Sequence, residues 1–373
     1  MLIGIEASHA AKVPRTGVEE ACWQMIEALK KEIPPEVEVV LYSHKNLEGD
    51  LGVLPKNWCL KILPWRYKKM WSQFALAKEL FWHRPDVFFA PGQLLPWFTP
   101  KKTLAYIHDS AFLVVPEAYN FLGRKYLQLM NWWVMHRAHI LVTSSVFNLS
   151  EIRKYYGEKI AAKVAIAPLA YDQGRYHTNW ENLKSEDLKQ KWDITKPYLI
   201  FIGRLETKKN ISRLIEAFNQ VKKYHDVQLV LVGKPGVGYE IIKQTLDNSE
   251  FKQDIKVLGW VDSIDLSKLL HSAKMLVFPS LYEGFGLPIL EAMASGVPIV
   301  AGDIPALKEV GGEAALYANP YDFKAIAQKI IFLIENPVVS SFLMEKGLAR
   351  VQLFTWQNTA KKIAKLIQIC YSK

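Results

Sequence analysis

The segment Met275-Leu276-Val277-Phe278-Pro279-Ser280-Leu281-Tyr282-Glu283-Gly284-Phe285-Gly286-Leu287-Pro288-Ile289-Leu290-Glu291-Ala292-Met293-Ala294-Ser295-Gly296-Val297-Pro298 reads as a buried strand, a glycine turn and a helix. The apolar run 275–278 has no polar alternation, the pattern of a parallel strand covered on both faces. Gly284 and Gly286 let the backbone pass close to a ligand. Pro288 suits the first turn of a helix, where its missing N–H costs little. The unpaired N–H groups of that helix start point toward any bound anion or sugar oxygen. Glu283 precedes the helix and Glu291 lies inside it, so both can reach one ligand at different points. A purely structural turn with a solvated Glu291 is the competing reading.

Similar units lie on either side. Phe201-Ile202-Gly203-Arg204-Leu205-Glu206-Thr207-Lys208-Lys209-Asn210-Ile211 ends a strand in Gly203-Arg204 and opens a helix after Lys209-Asn210. Two cations at a strand end beside a helix start make a diphosphate clamp, Arg as a planar fork and Lys as a compact charge. Apolar runs at 198–203, 228–233, 255–259, 275–280, 298–301 and 314–317 alternate with helical patterns. An earlier series runs through 2–7, 37–43, 86–90, 103–109, 139–145 and 164–169, with a first helix at about 17–31. The polar stretch 171–197 between the series reads as a linker with a short helix. Two such series imply two doubly wound α/β domains, with ligands at the carboxyl ends of their strands.

Composition narrows the classes. The 373-residue chain is 50% hydrophobic and carries a net charge of +10, a composition of folded domains rather than of a disordered chain. Residues 56–84 hold seven basic residues and one acid, together with Trp58, Trp65, Trp71 and Trp82. No apolar run reaches the ~20 residues of a membrane span. The start Met1-Leu2-Ile3-Gly4-Ile5-Glu6 lacks the basic region of a secretory signal. Three cysteines without metal spacing fit a reducing compartment, and a cytoplasmic location is expected. The basic balance permits nucleic-acid binding, but no recognition fingerprint supports it. Asp-x-Asp and G-x-G-x-x-G are both missing, which argues against a metal bridge and a dehydrogenase.

The Glu-x7-Glu segment 283–291 and the Gly-Arg…Lys-Asn segment 203–210 lie about 80 residues apart within one α/β series. With this pair the chain resembles glycosyltransferase family 4, the retaining nucleotide-sugar transferases of GT-B fold. The resemblance implies two facing Rossmann-like domains: 1–175 plus 356–373 on the acceptor side, and 176–355 for the donor. A C-terminal helix would cross back to the first domain. It implies that Arg204 and Lys209 hold the donor diphosphate, that Glu291 binds the ribose, and that Glu283 with Gly284, Phe285, Gly286 and Leu287 holds the sugar. It further implies donor contacts from Gly203 and from Gly17 in the loop Arg15-Thr16-Gly17-Val18, where many members have two adjacent glycines. His108, in Tyr106-Ile107-His108-Asp109, would lie near the transferred sugar; a strand-capping histidine is the alternative. The implied reaction moves a hexosyl unit, mannosyl or glucosyl, from a GDP- or UDP-sugar to a glycan or lipid-linked acceptor, with retention and without cofactor or metal. The segment 108–110 with Pro116-Glu117 is similar to polysaccharide mannosyltransferases. A non-catalytic nucleotide-sugar binding protein and a nucleotide-sugar epimerase are the rivals.

Two stretches carry double readings. Gly233-Lys234-Pro235-Gly236-Val237-Gly238 looks like a phosphate loop, and the resemblance puts Gly233 and Lys234 beside the nucleotide, with Trp260-Val261 at the base. Core packing is the alternative for Trp260. Tyr67, Met70, Trp71, Phe74, Ala77 and Phe81 recur at helical spacing among Arg66, Lys68, Lys69 and Lys78. That pattern suits a helix on an anionic membrane, or a crossover helix packed on the first sheet.

Overall fold

A computed structural model describes residues 1–67, 70–116, 119–179 and 190–372. Lys68, Lys69, Glu117 and most of the expected linker helix lie outside the described residues. The chain divides into two units: Met1–Leu113, Phe121–Ala170 and Phe354–Lys373 form one; Val114–Asn120 and Tyr171–Leu353 form the other.

The first unit holds β1 (Leu2–Glu6), β2 (Glu38–Ser43), β3 (Trp58–Ile62), β4 (Val87–Ala90), β5 (Thr103–Ile107), β6 (Ile140–Thr143) and β7 (Val164–Ile166). They form one sheet in the order β3-β2-β1-β4-β5-β6-β7, with all pairs parallel. β4 and β5 are buried at every position, as strands covered on both faces must be. The helix Gly17–Glu32 buries Cys22, Met25, Ile26 and Leu29 on one stripe. The last helix, Trp356–Ser372, packs on it and buries Ala360, Ile363, Ile367 and Cys370. The C-terminal helix therefore belongs to the first unit.

The second unit holds β8 (Tyr198–Ile202), β9 (Gln228–Val232), β10 (Ile255–Gly259), β11 (Met275–Phe278), β12 (Ile299–Gly302) and β13 (Leu316–Ala318), in the order β10-β9-β8-β11-β12-β13. The helix Ile211–Lys222 presents Leu214, Ile215, Phe218 and Val221 to the core at helical spacing. Each such side chain contributes about 1.5–3 kcal/mol on burial. In both sheets the order reverses once, between β1 and β4 and between β8 and β11. At such switch points the connecting loops diverge to opposite faces and leave a crevice at the carboxyl edge.

The stretch 56–84 departs from its expected form. β3 runs through its start, a strand hidden from sequence reading because it is an edge strand with mixed burial: Trp58 is buried and Cys59 exposed. Tyr67 and Met70 precede the helical part, which is a π-turn Ser72–Leu76 continued by a helix Ala77–Trp82. Leu76, Ala77 and Leu80 face the core, whereas Phe74, Phe81 and Trp82 are exposed. The face chosen from spacing is thus divided: Trp71 and Ala77 pack inward, and the other aromatic side chains do not.

Candidate functional site

The second switch point gathers the two charged segments. After β8, Gly203 has φ of +150° and the chain turns into a 3-10 turn Thr207–Lys209 before the helix Ile211–Lys222. After β11, the chain passes Pro279–Phe285 and enters the helix Leu287–Ala294 through Gly286, with φ of +107°. A Cβ at Gly286 would also meet the movable end of Leu307, Cδ2, at 2.6 Å, so it is the backbone that calls for glycine there.

Asn210 ties the two loops together. It is buried, has φ of +64°, and its Nδ2 donates to the carbonyls of Pro279 at 3.0 Å and Pro320 at 2.5 Å. The Leu281 N–H donates to the Lys208 carbonyl at 2.9 Å. This bracing brings Lys209 Nζ to 2.5 Å from Glu283 Oε1, with both side chains largely buried. Lys209 also lies 5.3 Å from the centroid of the Phe278 ring. Arg204 by contrast is 59% exposed, with Nε 4.0 Å from Glu206 Oε2. Glu206 is buried and also lies 3.5 Å from Lys208 Nζ. Glu291 is half-buried on the helix that follows Gly286. Sequence reading missed Glu206 and Asn210 as site-building residues. Their signal was local: a charged run directly after a buried strand, closed by an asparagine suited to left-handed backbone.

The glycine-rich loop 233–238 has a structural task. Leu205 N–H donates to the Lys234 carbonyl and Gly236 N–H to the Leu205 carbonyl, each at 2.9 Å. Thr207 N–H donates to the Val237 carbonyl at 3.0 Å. The loops after β8 and β9 are zipped together, and a Cβ at Gly233 would fall 1.8 Å from the Gly203 carbonyl oxygen. Close backbone approach therefore explains Gly233. A register shift at the end of β10 and the left-handed Gly259 present Trp260, which is 50% exposed, while Val261 is buried. Lys234 Nζ stands 5.9 Å from the Trp260 ring centroid. The core-packing alternative for Trp260 does not hold.

In the first unit, Gly17 is the first residue of its helix and is exposed. Glu19 folds back to accept from the Thr16 N–H at 3.1 Å. His108 is buried at the end of β5, its Nε2 2.7 Å from the Pro91 carbonyl oxygen. Burial outweighs that hydrogen bond and pushes its pKa down to about 4. Asn148 Nδ2 donates to the His108 carbonyl at 2.8 Å, fixing the strand end. Among the described residues no cluster of metal-ligating side chains is present.

Residues 184–347 match the family model described as glycosyl transferases group 1. The chain is 29% identical over 377 residues to O-antigen chain mannosyltransferase B of Escherichia coli, covering 95% of this chain and 96% of that one. Its fold is similar to sucrose-phosphate synthase from Thermosynechococcus elongatus, with a TM-score of 0.78, 19% identity, and coverage of 100% of this chain and 99% of that one. Anabaena HepE in complex with UDP and glucose gives a TM-score of 0.75 at 17% identity, covering 99% of this chain and 100% of that one. The chain has the two-sheet fold of GT-B glycosyltransferases.

Proposed function

We propose that the chain, whose residues 184–347 match the model of glycosyl transferases group 1, moves a hexosyl unit from a nucleotide sugar to an acceptor hydroxyl. The observation that carries the reading is the Lys209–Glu283 pair, held by Asn210 at the switch point of the second sheet. A donor diphosphate competes with Glu283 for the Lys209 ammonium. That exchange leaves the carboxylate to accept from sugar hydroxyls. Arg204 supplies the exposed guanidinium that grips the phosphates, and Glu291 accepts from the ribose. As the sugar leaves, charge grows on the diphosphate, and fixed cations stabilise it without reorganising.

The donor reading is mannosyl or glucosyl, on GDP or UDP. Support comes from a relative named a mannosyltransferase and from a fold neighbour bound to UDP and glucose. The same relative, an O-antigen enzyme, supports a role in cell-surface polysaccharide or glycolipid synthesis, with a glycan or lipid-linked acceptor. Transfer proceeds with retention and without a metal, because cationic side chains supply the charge that a bridging ion otherwise brings. The protein works in the cytoplasm, resting on the inner membrane face through 56–84. Among the described residues no single helix is long and apolar enough to cross a membrane.

The test is a thermal-shift panel of UDP, GDP, ADP and their sugars, followed by transfer to glycan acceptors with and without chelator. One nucleotide at a hundred times its Kd should stabilise the protein by about 2.7 kcal/mol. Product NMR reads the anomeric configuration. Nucleotide binding with neither transfer nor donor hydrolysis across the panel would instead identify a binding protein.

A further inference from the structure

The first sheet has its own switch point, between β1 and β4, and a built polar pair sits in it. Glu6 ends β1 and is 3% exposed. Its Oε1 accepts from the Ser8 N–H at 2.8 Å and from the Ser8 hydroxyl, and its Oε2 lies 3.1 Å from His9 Nδ1. The His9 ring lies over Gly92, two residues beyond β4, where a Cβ would come within 2.3 Å of Nδ1. The pair therefore spans the crevice from one strand end to the other. His9 is 19% exposed, and its Nε2 has no hydrogen-bond partner among the described residues.

We infer that His9, held by Glu6 in this crevice, binds a hydroxyl of a neutral sugar acceptor through Nε2, with Glu6 as its positioning residue. The inference rests on the transferase reading for the word acceptor; the sugar site itself does not.

Charge selects the ligand class. Lys12, the cation acting on His9, is already paired with Glu19 at 2.9 Å. With Glu6 added, two carboxylates stand against one paired cation and the imidazole. This balance favours an uncharged polyol at His9 over an anion. The geometry also fixes the ring: with Nδ1 on a buried carboxylate, Nε2 has one direction, which is how a hydrogen bond to a hydroxyl becomes selective. The titratable and charged groups acting on His9 are Glu6, Lys12 and Glu19, and it in turn acts on His44 and His108. Burial alone would lower the His9 pKa, but Glu6 outweighs it and the net shift is upward.

The probe is methyl α-D-mannopyranoside, titrated into full-length protein carrying histidine labelled at Cε1. The His9 resonance is identified by its loss in His9→Asn. It should move with the sugar and stay still with GDP or UDP. Gly92→Ala, which displaces the ring and leaves its chemistry intact, should raise the sugar concentration for half-saturation about ten-fold. Glu6→Gln should lower the pH at which the His9 resonance titrates and also raise the sugar concentration for half-saturation, a change in sugar affinity that a purely structural ion pair would not produce. Movement with nucleotide but not sugar overturns the assignment, as does movement with neither. An unchanged half-saturation in Gly92→Ala or in Glu6→Gln, or an unchanged titration in Glu6→Gln, also overturns it. Absence of transfer from every donor would defeat the transferase reading while the sugar titration still reports on His9.

Discussion

At the residue scale, two side chains carry separable predictions. Glu283→Gln keeps shape but removes the charge that competes with the diphosphate for Lys209, so sugar transfer should fall by about 10²-fold or more, while nucleotide affinity holds or rises. Parallel measurement of transfer rate and nucleotide Kd checks this. Equal losses in both would move Glu283 from the sugar to the phosphate side. His108 makes a stability prediction. The unfolded chain protonates it near its ordinary value of 6.5, whereas the folded chain resists down to about 4. Stability from the neutral ring is therefore complete above pH 6.5 and is lost as pH falls through that window, by up to about 3 kcal/mol. His9 shifts the other way, so its contribution is lost above pH 6.5 rather than below. Denaturant titrations between pH 4 and 6.5 should show a flatter dependence in His108→Gln than in the native protein.

At the element scale, the site depends on loops that only glycine can close. An alanine at Gly233 would drive its Cβ into the Gly203 carbonyl, a backbone atom that cannot swing aside. Gly233→Ala should cost about 2–4 kcal/mol and weaken nucleotide binding, because the loops after β8 and β9 must part. Gly259→Ala is the control. Its φ is +68°, yet a Cβ there meets nothing within 4 Å, so only backbone strain of about 1–2 kcal/mol applies. Thermal melts of the two variants should separate by that difference. The segments around these glycines were legible as strand–turn–helix units because each strand is an unbroken apolar run. The zipper between 205–207 and 234–237 was not legible, since backbone pairing between two loops leaves no side-chain pattern. β3 was hidden for a related reason: an edge strand mixes buried and exposed positions and lacks the continuous apolar signature.

At the scale of the whole molecule, charge and exposed aromatic surface coincide. The net charge is +10, and 56–84 contributes a basic excess of +6. Tyr67, Phe74, Phe81 and Trp82 from the same stretch are 68%, 55%, 43% and 69% exposed. Such a surface should bind anionic vesicles at low salt and release them as salt shortens the screening length to below about 10 Å. Sedimentation with phosphatidylserine liposomes tests this, and Phe81→Asp with Trp82→Asp should abolish the binding while leaving nucleotide-induced stabilisation intact. Failure to bind at low salt would remove the membrane role.

The sequence alone determined the class: two series of buried parallel strands, and two charged segments at strand ends that resemble those of nucleotide-sugar transferases. These are local signals, since strand burial shows as apolar runs and turn chemistry as glycine and proline at fixed offsets. Tertiary structure alone decided which charges meet. Lys209 and Glu283 are distant in the chain, and their contact follows from the reversal between β8 and β11 and from Asn210 bridging the loops. It also decided that Trp260 is exposed, that the face chosen for 66–81 is divided, and that Glu6 and His9 form a pair over Gly92. Strand order is set by how helices pack on sheets, a long-range property that spacing along one chain does not record.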